Sequence, residues 1–200
     1  LTVAAVVLAA GASTRLGEPK QNVRLNPGSD PRTDPRTDPE TLLERAVRVA
    51  REAGFTPLFA VLAPGYSPPR SLAARLVVNE HAAEGMASSI RSGIAAAIAA
   101  GASGVVILAC DQPFVTARHL CALAELPDAV AASAYAGRKG VPAYFPASAF
   151  SQLLELRGDA GARELLREAR AVALKKGELD IDTAEDLKRA RELYAFDPPL

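Results

Sequence analysis

Apolar positions along this chain follow two rhythms. From Val3 to Ala10 the residues are Val, Leu and Ala without interruption, and Gly11 ends the run. A short unbroken apolar run closed by glycine predicts a strand buried on both faces. Similar extended stretches occur at Leu58 to Ala63, Leu76 to Val78, Val105 to Ala109, Ala129 to Tyr135 and Gly140 to Phe145. Between them the spacing lengthens to that of a helix face. Leu42, Leu43, Ala46, Val47, Val49 and Ala50 form one such face. Ile90, Ile94 and Ile98 form a second, and a helix near Thr116 a third. Leu165 and Leu166 mark another helix, and Leu187, Ala190, Leu193 and Tyr194 the last. Strand and helix signals alternate, which predicts a three-layer α/β domain with a mostly parallel sheet, one domain spanning residues 1–200.

Polar punctuation sharpens the boundaries. Asp38-Pro39 reads as an N-cap followed by proline in the first helical position, with Gly54 ending that helix. Thr183 and Asp186 have the spacing of a capping box. Gly137, Lys139 and Gly140 read as a flexible basic turn. Residues 26–39 carry the unit Pro-Arg-Thr-Asp twice, and prolines so dense exclude helix and deny sheet donors. The segment is expected to be an exposed loop, either a duplicated surface insertion or a lid over substrate. Phe196 to Leu200 is expected to be a loose tail.

Composition excludes several classes of function. Lys and Arg number 23 and so do Asp and Glu, so no strong field attracts nucleic acid or an anionic membrane surface. No run approaches the roughly 18 apolar residues that span a bilayer. Val3 to Ala10 lacks the basic flank of a secretory signal and is read as a cytoplasmic strand. Cys110 and Cys121 have neither disulfide-framework nor zinc spacing, consistent with a reducing compartment. Cys110 is expected in the core, and His81 and His119 on the surface.

The polar residues that follow strands carry the chemistry. After Gly11 come Arg15, Gly17 and Lys20, without the Lys-Ser/Thr pair of a Walker loop. The glycines let backbone N–H groups approach an anion, while Arg15 offers a planar fork and Lys20 a mobile point charge. The competing reading is a plain strand-to-helix turn with surface cations. Asn79 ends a strand, and Ser88 and Ser89 fall in the first turn of the next helix, where they either cap it or meet an anion. Asp111 follows a strand directly, where α/β sheets place their ligands; it either holds Mg²⁺ or caps the next helix. Asp182 stands in the same relation to the chain's end. Parallel strands bring such ends to one edge.

Read together, these pieces resemble a known family. Leu8-Ala-Ala-Gly-Ala-Ser-Thr-Arg-Leu-Gly-Glu-Pro-Lys20 resembles the opening signature of nucleotidyltransferases that activate small phosphorylated molecules. Asn79…Gly85-Met-Ala-Ser-Ser-Ile, Cys110-Asp-Gln-Pro, Gly158-Asp-Ala-Gly-Ala-Arg163 and Asp180-Ile-Asp-Thr-Ala-Glu-Asp186 make the chain similar to the molybdenum cofactor cytidylyltransferases and their guanylyl relatives. The resemblance implies a Rossmann-like nucleotidyltransferase fold and transfer of CMP from CTP to the phosphate of molybdopterin, with release of pyrophosphate. It implies that Leu8, Ala9, Ala10 and Gly11 hold the nucleotide and that Arg15 and Lys20 stabilise its triphosphate. Asp111 and Asp182 become ligands of Mg²⁺, while Asn79, Ser88 and Ser89 face the ribose or the acceptor. Lys139 and Arg163 meet the acceptor's phosphate, and a molybdoenzyme receives the product. Ala10 stands where the guanylyl branch has a second glycine, which implies CTP over GTP. The chain departs from the family at Gln21-Asn22-Val23-Arg24, at the proline-rich insertion and at Leu16. The alternatives are another phosphorylated acceptor, such as a sugar or isoprenoid precursor, or a non-catalytic nucleotide-binding protein.

Overall fold

The computed structural model describes residues 2–26, 38–158 and 162–196. Most of the proline-rich repeat, residues 159–161 of the Gly158–Arg163 run and the tail after Phe196 lie outside the described residues.

Strand β1 (Val3–Ala9) is the axis of a seven-stranded sheet that also contains β4 (Leu58–Leu62), β5 (Arg75–Val78), β6 (Gly104–Ala109), β7 (Ala131–Tyr135), β8 (Arg138–Pro146) and β9 (Arg170–Ala173). The order is β5-β4-β1-β6-β8-β7-β9. β1 pairs in parallel with β4 and β6, β4 with β5, and β7 with β9, while β8 runs antiparallel to β6 and β7. The mostly parallel α/β expectation holds. β8 reverses because it follows β7 through a tight hairpin. Ala136 and Gly137 both take positive φ, at 47° and 72°, as a two-residue turn matching strand twist requires. Lys139 and Gly140 therefore belong to the strand, and the basic turn expected there is the Ala136-Gly137 pair instead.

Alternation along β1 sorts its side chains to two sides. Ala5, Val7 and Ala9 face a layer built by α1 (Leu42–Glu52) and α3 (Ala117–Leu123). Ala4, Val6 and Leu8 face α2 (Met86–Ala99), α4 (Phe150–Leu154) and α5 (Arg163–Leu166). α2 lies so close to β1 that a Cβ at Gly93 would overlap the Val6 side chain. A third apolar cluster joins Val23, Leu25, Leu42 and Phe114 to Ile181 and to Leu187 and Ala190 of α6 (Ala184–Phe196). It ties the segment after the first loop to the chain's C-terminal part.

Several local expectations change. α1 begins after Thr41, not at Pro39. The Thr41 hydroxyl accepts from the Glu44 N–H while the Glu44 carboxylate accepts from the Thr41 N–H, a reciprocal cap that outcompetes an earlier start. Residues 38–41 form instead a short strand, β3 (Asp38–Thr41), antiparallel to β2 (Arg24–Asn26). Thr183 and Asp186 do form the expected capping box at α6. Thr116, not Asp111, caps α3 by accepting from the His119 N–H. Cys110 is buried as expected.

His119 is also buried, contrary to the surface placement read from the sequence. Its Nε2 lies 2.7 Å from Ser133 Oγ, which in turn donates to the Pro142 carbonyl at 2.6 Å. With that hydroxyl proton committed, His119 donates through Nε2–H and is neutral. Burial pushes its pKa down to about 4.

Candidate active site

The carboxyl ends of β1, β4, β5 and β6 share one edge of the sheet, and the site grows from it. Past β1 the chain turns on Ser13, whose φ of 52° is left-handed. The Ser13 carbonyl accepts from the N–H groups of Leu16 and Gly17, and its hydroxyl accepts from the Lys20 N–H at 3.0 Å. Gly17, at φ 80°, supplies the second reversal. The loop therefore closes on itself and returns Lys20 to the strand end it left. Gln21, buried at 4% exposure, completes the closure by donating from Nε2 to the Ala9 carbonyl at 2.8 Å. The sequence marks Gln21 only as a departure from the family and does not single out Ser13. The signal was present as polar residues flanking the Arg-Gly-Lys spacing.

Across the edge, β6 ends at Ala109, and the Cys110 N–H extends its pairing to the Leu8 carbonyl. Asp111 thus sits beside the end of β1. The C-terminal segment docks here because the Ile181 N–H donates to the Asp111 carbonyl at 3.0 Å, while the Ile181 side chain is fully buried in the third cluster. A β-like alternation then points Asp180 and Asp182 away from that anchor.

Lys20 is the centre of what results. Its Nζ donates to Asp111 Oδ2 and to Asp182 Oδ1, each at 2.7 Å, and Arg15 Nη2 donates to Asp182 Oδ2 at 2.8 Å. Four residues separated by up to 167 positions form one ion-paired chain. It is graded from inside to outside, since the side chains of Lys20 and Asp111 are 13% and 18% exposed and that of Arg15 is 70% exposed. Burial alone would lower the pKa of Lys20. The charge of Asp111 and hydrogen bonds to both carboxylates outweigh it and hold the ammonium well above its ordinary range. Asp182 is held below the usual carboxylate range, first by the hydrogen bond from Lys20, with Arg15 contributing.

Asp180 belongs to the same neighbourhood and carries the opposite perturbation. Burial, with the charge of Asp111 second, pushes its carboxyl up to about 6. Arg138 approaches it at only 3.9 Å. The sequence signal for Asp180 was the Asp-Ile-Asp alternation itself.

The remaining predicted residues divide into three groups. Leu8, Ala9 and Ala10 are buried at the end of β1, with Gly11 exposed just beyond. Asn79, Ser88 and Ser89 come together but face one another: Asn79 Nδ2 donates to Ser88 Oγ at 2.9 Å and to Ser89 Oγ at 3.0 Å, and all three are buried. They join the end of β5 to the start of α2. Arg163 is exposed at the start of α5. Lys139 donates to the carbonyls of Arg167 and Ala169, each at 2.7 Å, so its ammonium is engaged where α5 ends.

Two carboxylates meeting one cation can also meet another. Among the described residues no group of three or more His, Cys, Asp or Glu forms a ready metal cage. Asp111 and Asp182 offer a pair of hard oxygen ligands, the partial set that suits a divalent ion whose other positions come from phosphate and water. No helix among the described residues is long and apolar enough to cross a membrane.

Comparison with known proteins supplies the family. A model of the MobA-like NTP transferase domain matches residues 5–173. The purine catabolism protein PucB of Bacillus subtilis (strain 168) is 36% identical over 194 residues, covering 93% of this chain and 94% of that protein. A probable molybdenum cofactor guanylyltransferase of Opitutus terrae is 33% identical over 115 residues, 58% of this chain and 50% of that protein. The crystal structure of Rv0371c from Mycobacterium tuberculosis H37Rv superposes with a TM-score of 0.75 at 28% identity, over 96% of this chain and 99% of that one. Rv0371c is also solved in complex with manganese, and that structure superposes with a TM-score of 0.69 at 25% identity over the same shares of the two chains. With its glycine-spaced loop, its Lys20-centred acidic pair and a match from β1 to β9, the chain belongs to the MobA-like NTP transferase family and is a nucleotidyltransferase.

Proposed function

We propose that the chain transfers CMP from CTP to the terminal phosphate of molybdopterin, with Mg²⁺ bound by Asp111 and Asp182. The observation that carries the reading is the placement of Lys20 between those two carboxylates. An ammonium so held balances the two carboxylates and stands where phosphate oxygens would meet it beside a divalent ion. Mg²⁺ supplies charge neutralisation between the phosphates when bound. An oxygen of the acceptor's phosphate attacks the α-phosphorus, a new phosphorus–oxygen bond forms, and the bond to the β-phosphate bridging oxygen breaks to release pyrophosphate. An acceptor phosphate that is already ionised needs no general base, so positioning and electrostatics do the work. Lys20 and Arg15 stabilise the charge that builds on pyrophosphate as it leaves.

The molybdopterin acceptor rests on the sequence motifs and on the resemblance to a probable molybdenum cofactor guanylyltransferase. The choice of CTP rests on Ala10, whose methyl group at the buried end of β1 narrows the base site against a purine. The relative just named favours GTP as the second reading. Calorimetric titration with CTP, GTP, ATP and UTP, with and without Mg²⁺, separates the two. The proposal expects metal-dependent preference for CTP, Ala10→Gly gaining GTP, and loss of pyrophosphate release in Asp111→Ala when molybdopterin is supplied. Tighter binding of GTP by the unmodified chain would refute the cytidylyl assignment.

A further inference from the structure

A phosphate that is to attack another phosphate must first have its charge balanced, so the acceptor needs a cation of its own. Lys139, to which the resemblance gives that task, spends its ammonium on the carbonyls of Arg167 and Ala169. Its neighbour Arg138 is placed differently. β7 runs parallel to β1 and β6, because β8 lies between β6 and β7 and is antiparallel to both. The hairpin joining β7 to β8 therefore stands on the same edge as Asp111, and Arg138 is the first residue past its turn. The Arg138 guanidinium lies over the Tyr135 ring, 5.1 Å from its centre, and 3.9 Å from Asp180 Oδ2. Its side chain is 53% exposed, and among the described residues the guanidinium donates no hydrogen bond. Ring and carboxylate thus hold the charge in place while its N–H groups stay free.

The supports of Arg138 are fastened to those of the metal pair. The Tyr135 hydroxyl donates to the Val141 carbonyl at 3.1 Å, and Gln112 Nε2, one residue past Asp111, donates to the same carbonyl at 3.1 Å. The ring is pressed so closely on β8 that a Cβ at Gly140 would overlap its hydroxyl. On the other flank Asp180 precedes Ile181, whose N–H donates to the Asp111 carbonyl. We propose that Arg138 binds the phosphate of the acceptor. The inference rests on the reading above that the acceptor presents a phosphate. In-line displacement sets the attacking and leaving oxygens on opposite sides of the α-phosphorus. The sheet order supplies two such sides: Arg15 and Lys20 follow β1, Asp111 follows β6, and Arg138 lies beyond it at the start of β8. Pyrophosphate that departs toward Lys20 leaves the Arg138 side to the attacking group. Two oxygens of a phosphate monoester take the paired N–H groups of the guanidinium, and the third is turned toward the α-phosphorus.

Inorganic phosphate is the probe that reads this contact without turnover. It is titrated, with detection by phosphorus NMR, into the whole chain saturated with Mg²⁺ and the α,β-methylene analogue of whichever nucleotide binds most tightly. The unmodified chain is expected to bind phosphate. Arg138→Met should weaken that binding by about tenfold or more, and Arg138→Lys should recover part of it, since lysine keeps the charge and loses the fork. Affinity for the nucleotide analogue should change by less than about twofold in either variant. With molybdopterin as acceptor, Arg138→Met should raise KM for the acceptor by about tenfold or more and leave KM for the nucleotide in place, a split that general damage to the fold does not produce. Phosphate that fails to bind the unmodified chain, or binds Arg138→Met as tightly, would overturn the proposal. Equal losses of phosphate and nucleotide affinity would overturn it as well, by placing Arg138 with the triphosphate. A chain that binds phosphate through Arg138 yet turns over no molybdopterin would uphold Arg138 and discard molybdopterin as the acceptor.

Discussion

A half-buried lysine between two carboxylates is an arrangement with two uses, and Lys20 shows both. In the resting chain its ammonium neutralises Asp111 and Asp182, which would otherwise repel one another at the end of the sheet. The same ammonium competes with any divalent ion for those oxygens. Lys20→Met removes the competitor while keeping length and apolar stem. The variant is expected to bind Mn²⁺ in the absence of nucleotide more tightly than the unmodified chain, by about tenfold or more, because two anionic oxygens are left with no protein cation between them. Its rate of pyrophosphate release should fall by about 10² to 10³, the usual cost of losing one charged stabiliser of the departing group. Titration followed by Mn²⁺ paramagnetic resonance reads the first effect directly. Unchanged or weaker Mn²⁺ binding would mean that Asp111 and Asp182 are not a metal pair. Ser13 and Gln21 act one step further out, since they fix the loop that carries Lys20 without touching the carboxylates.

Elements are joined here by a few polar contacts whose pH dependence can be worked out. His119 on α3 is bound to Ser133 on β7 as a neutral donor, with its pKa pushed by burial to about 4 from an ordinary 6.5. Between those values the unfolded chain takes up a proton that the folded chain refuses. Stability from this contact is therefore present above pH 6.5 and lost as pH falls toward 4, by at most about 3 kcal/mol. Asp180 acts oppositely in the same window, since its raised carboxyl pKa of about 6 costs stability as pH rises through it. Comparing the unmodified chain with His119→Gln, which keeps a donor but cannot titrate, cancels Asp180 because both chains share it. The difference in melting free energy should be flat above pH 7 and should shrink in disfavour of histidine from pH 6.5 downward. A difference that does not change with pH would show that His119 takes up its proton in the fold as readily as in the unfolded chain. The sequence could not reveal this contact. Six extended runs were legible as apolar stretches between turn residues, and they led to six of the seven strands of the sheet. β2, β3 and β9 were not: Arg24–Asn26 and Asp38–Thr41 are short and mostly polar, and Arg170–Ala173 follows Leu165 and Leu166 with no glycine or proline between to mark the change from helix to strand. His119 looked like a surface residue because only tertiary placement brings Ser133 over it. At the site, Arg15, Lys20, Asp111 and Asp182 were legible from their positions after strands, whereas Asn79, Ser88 and Ser89 reached the right edge but spend their hydrogen bonds on one another.

At the scale of the molecule, the site is where distant parts of the chain are closed on one another. The loop after β1, the turn after β6 and the segment before α6 supply Lys20, Asp111 and Asp182, and the third apolar cluster holds their bases together through Val23, Phe114 and Ile181. A ligand that touches all three segments binds only the folded chain, so its binding energy becomes stability. At a hundredfold excess over its dissociation constant such a ligand adds about 2.7 kcal/mol, which for a chain of this length raises the melting temperature by about 5 to 10 °C. The expected pattern has two levels. Nucleotide alone should give a smaller shift, from Arg15, Lys20 and the main chain at the end of β1. Nucleotide with Mg²⁺ or Mn²⁺ should give the full shift, because only then are Asp111 and Asp182 drawn toward the triphosphate rather than repelled by it. Asp182→Asn should erase most of the ion-dependent increment and leave the ion-free shift in place, since the amide still accepts from Lys20 while losing the charge that binds the metal. Chelation of the ion should return the unmodified chain to the lower level. Equal shifts with and without the ion would place the triphosphate away from the carboxylates and leave Lys20 as a structural ion pair. An ion-dependent shift that survives Asp182→Asn would instead assign the ion to Asp111 alone and reduce Asp182 to the residue that steers Arg15 and Lys20.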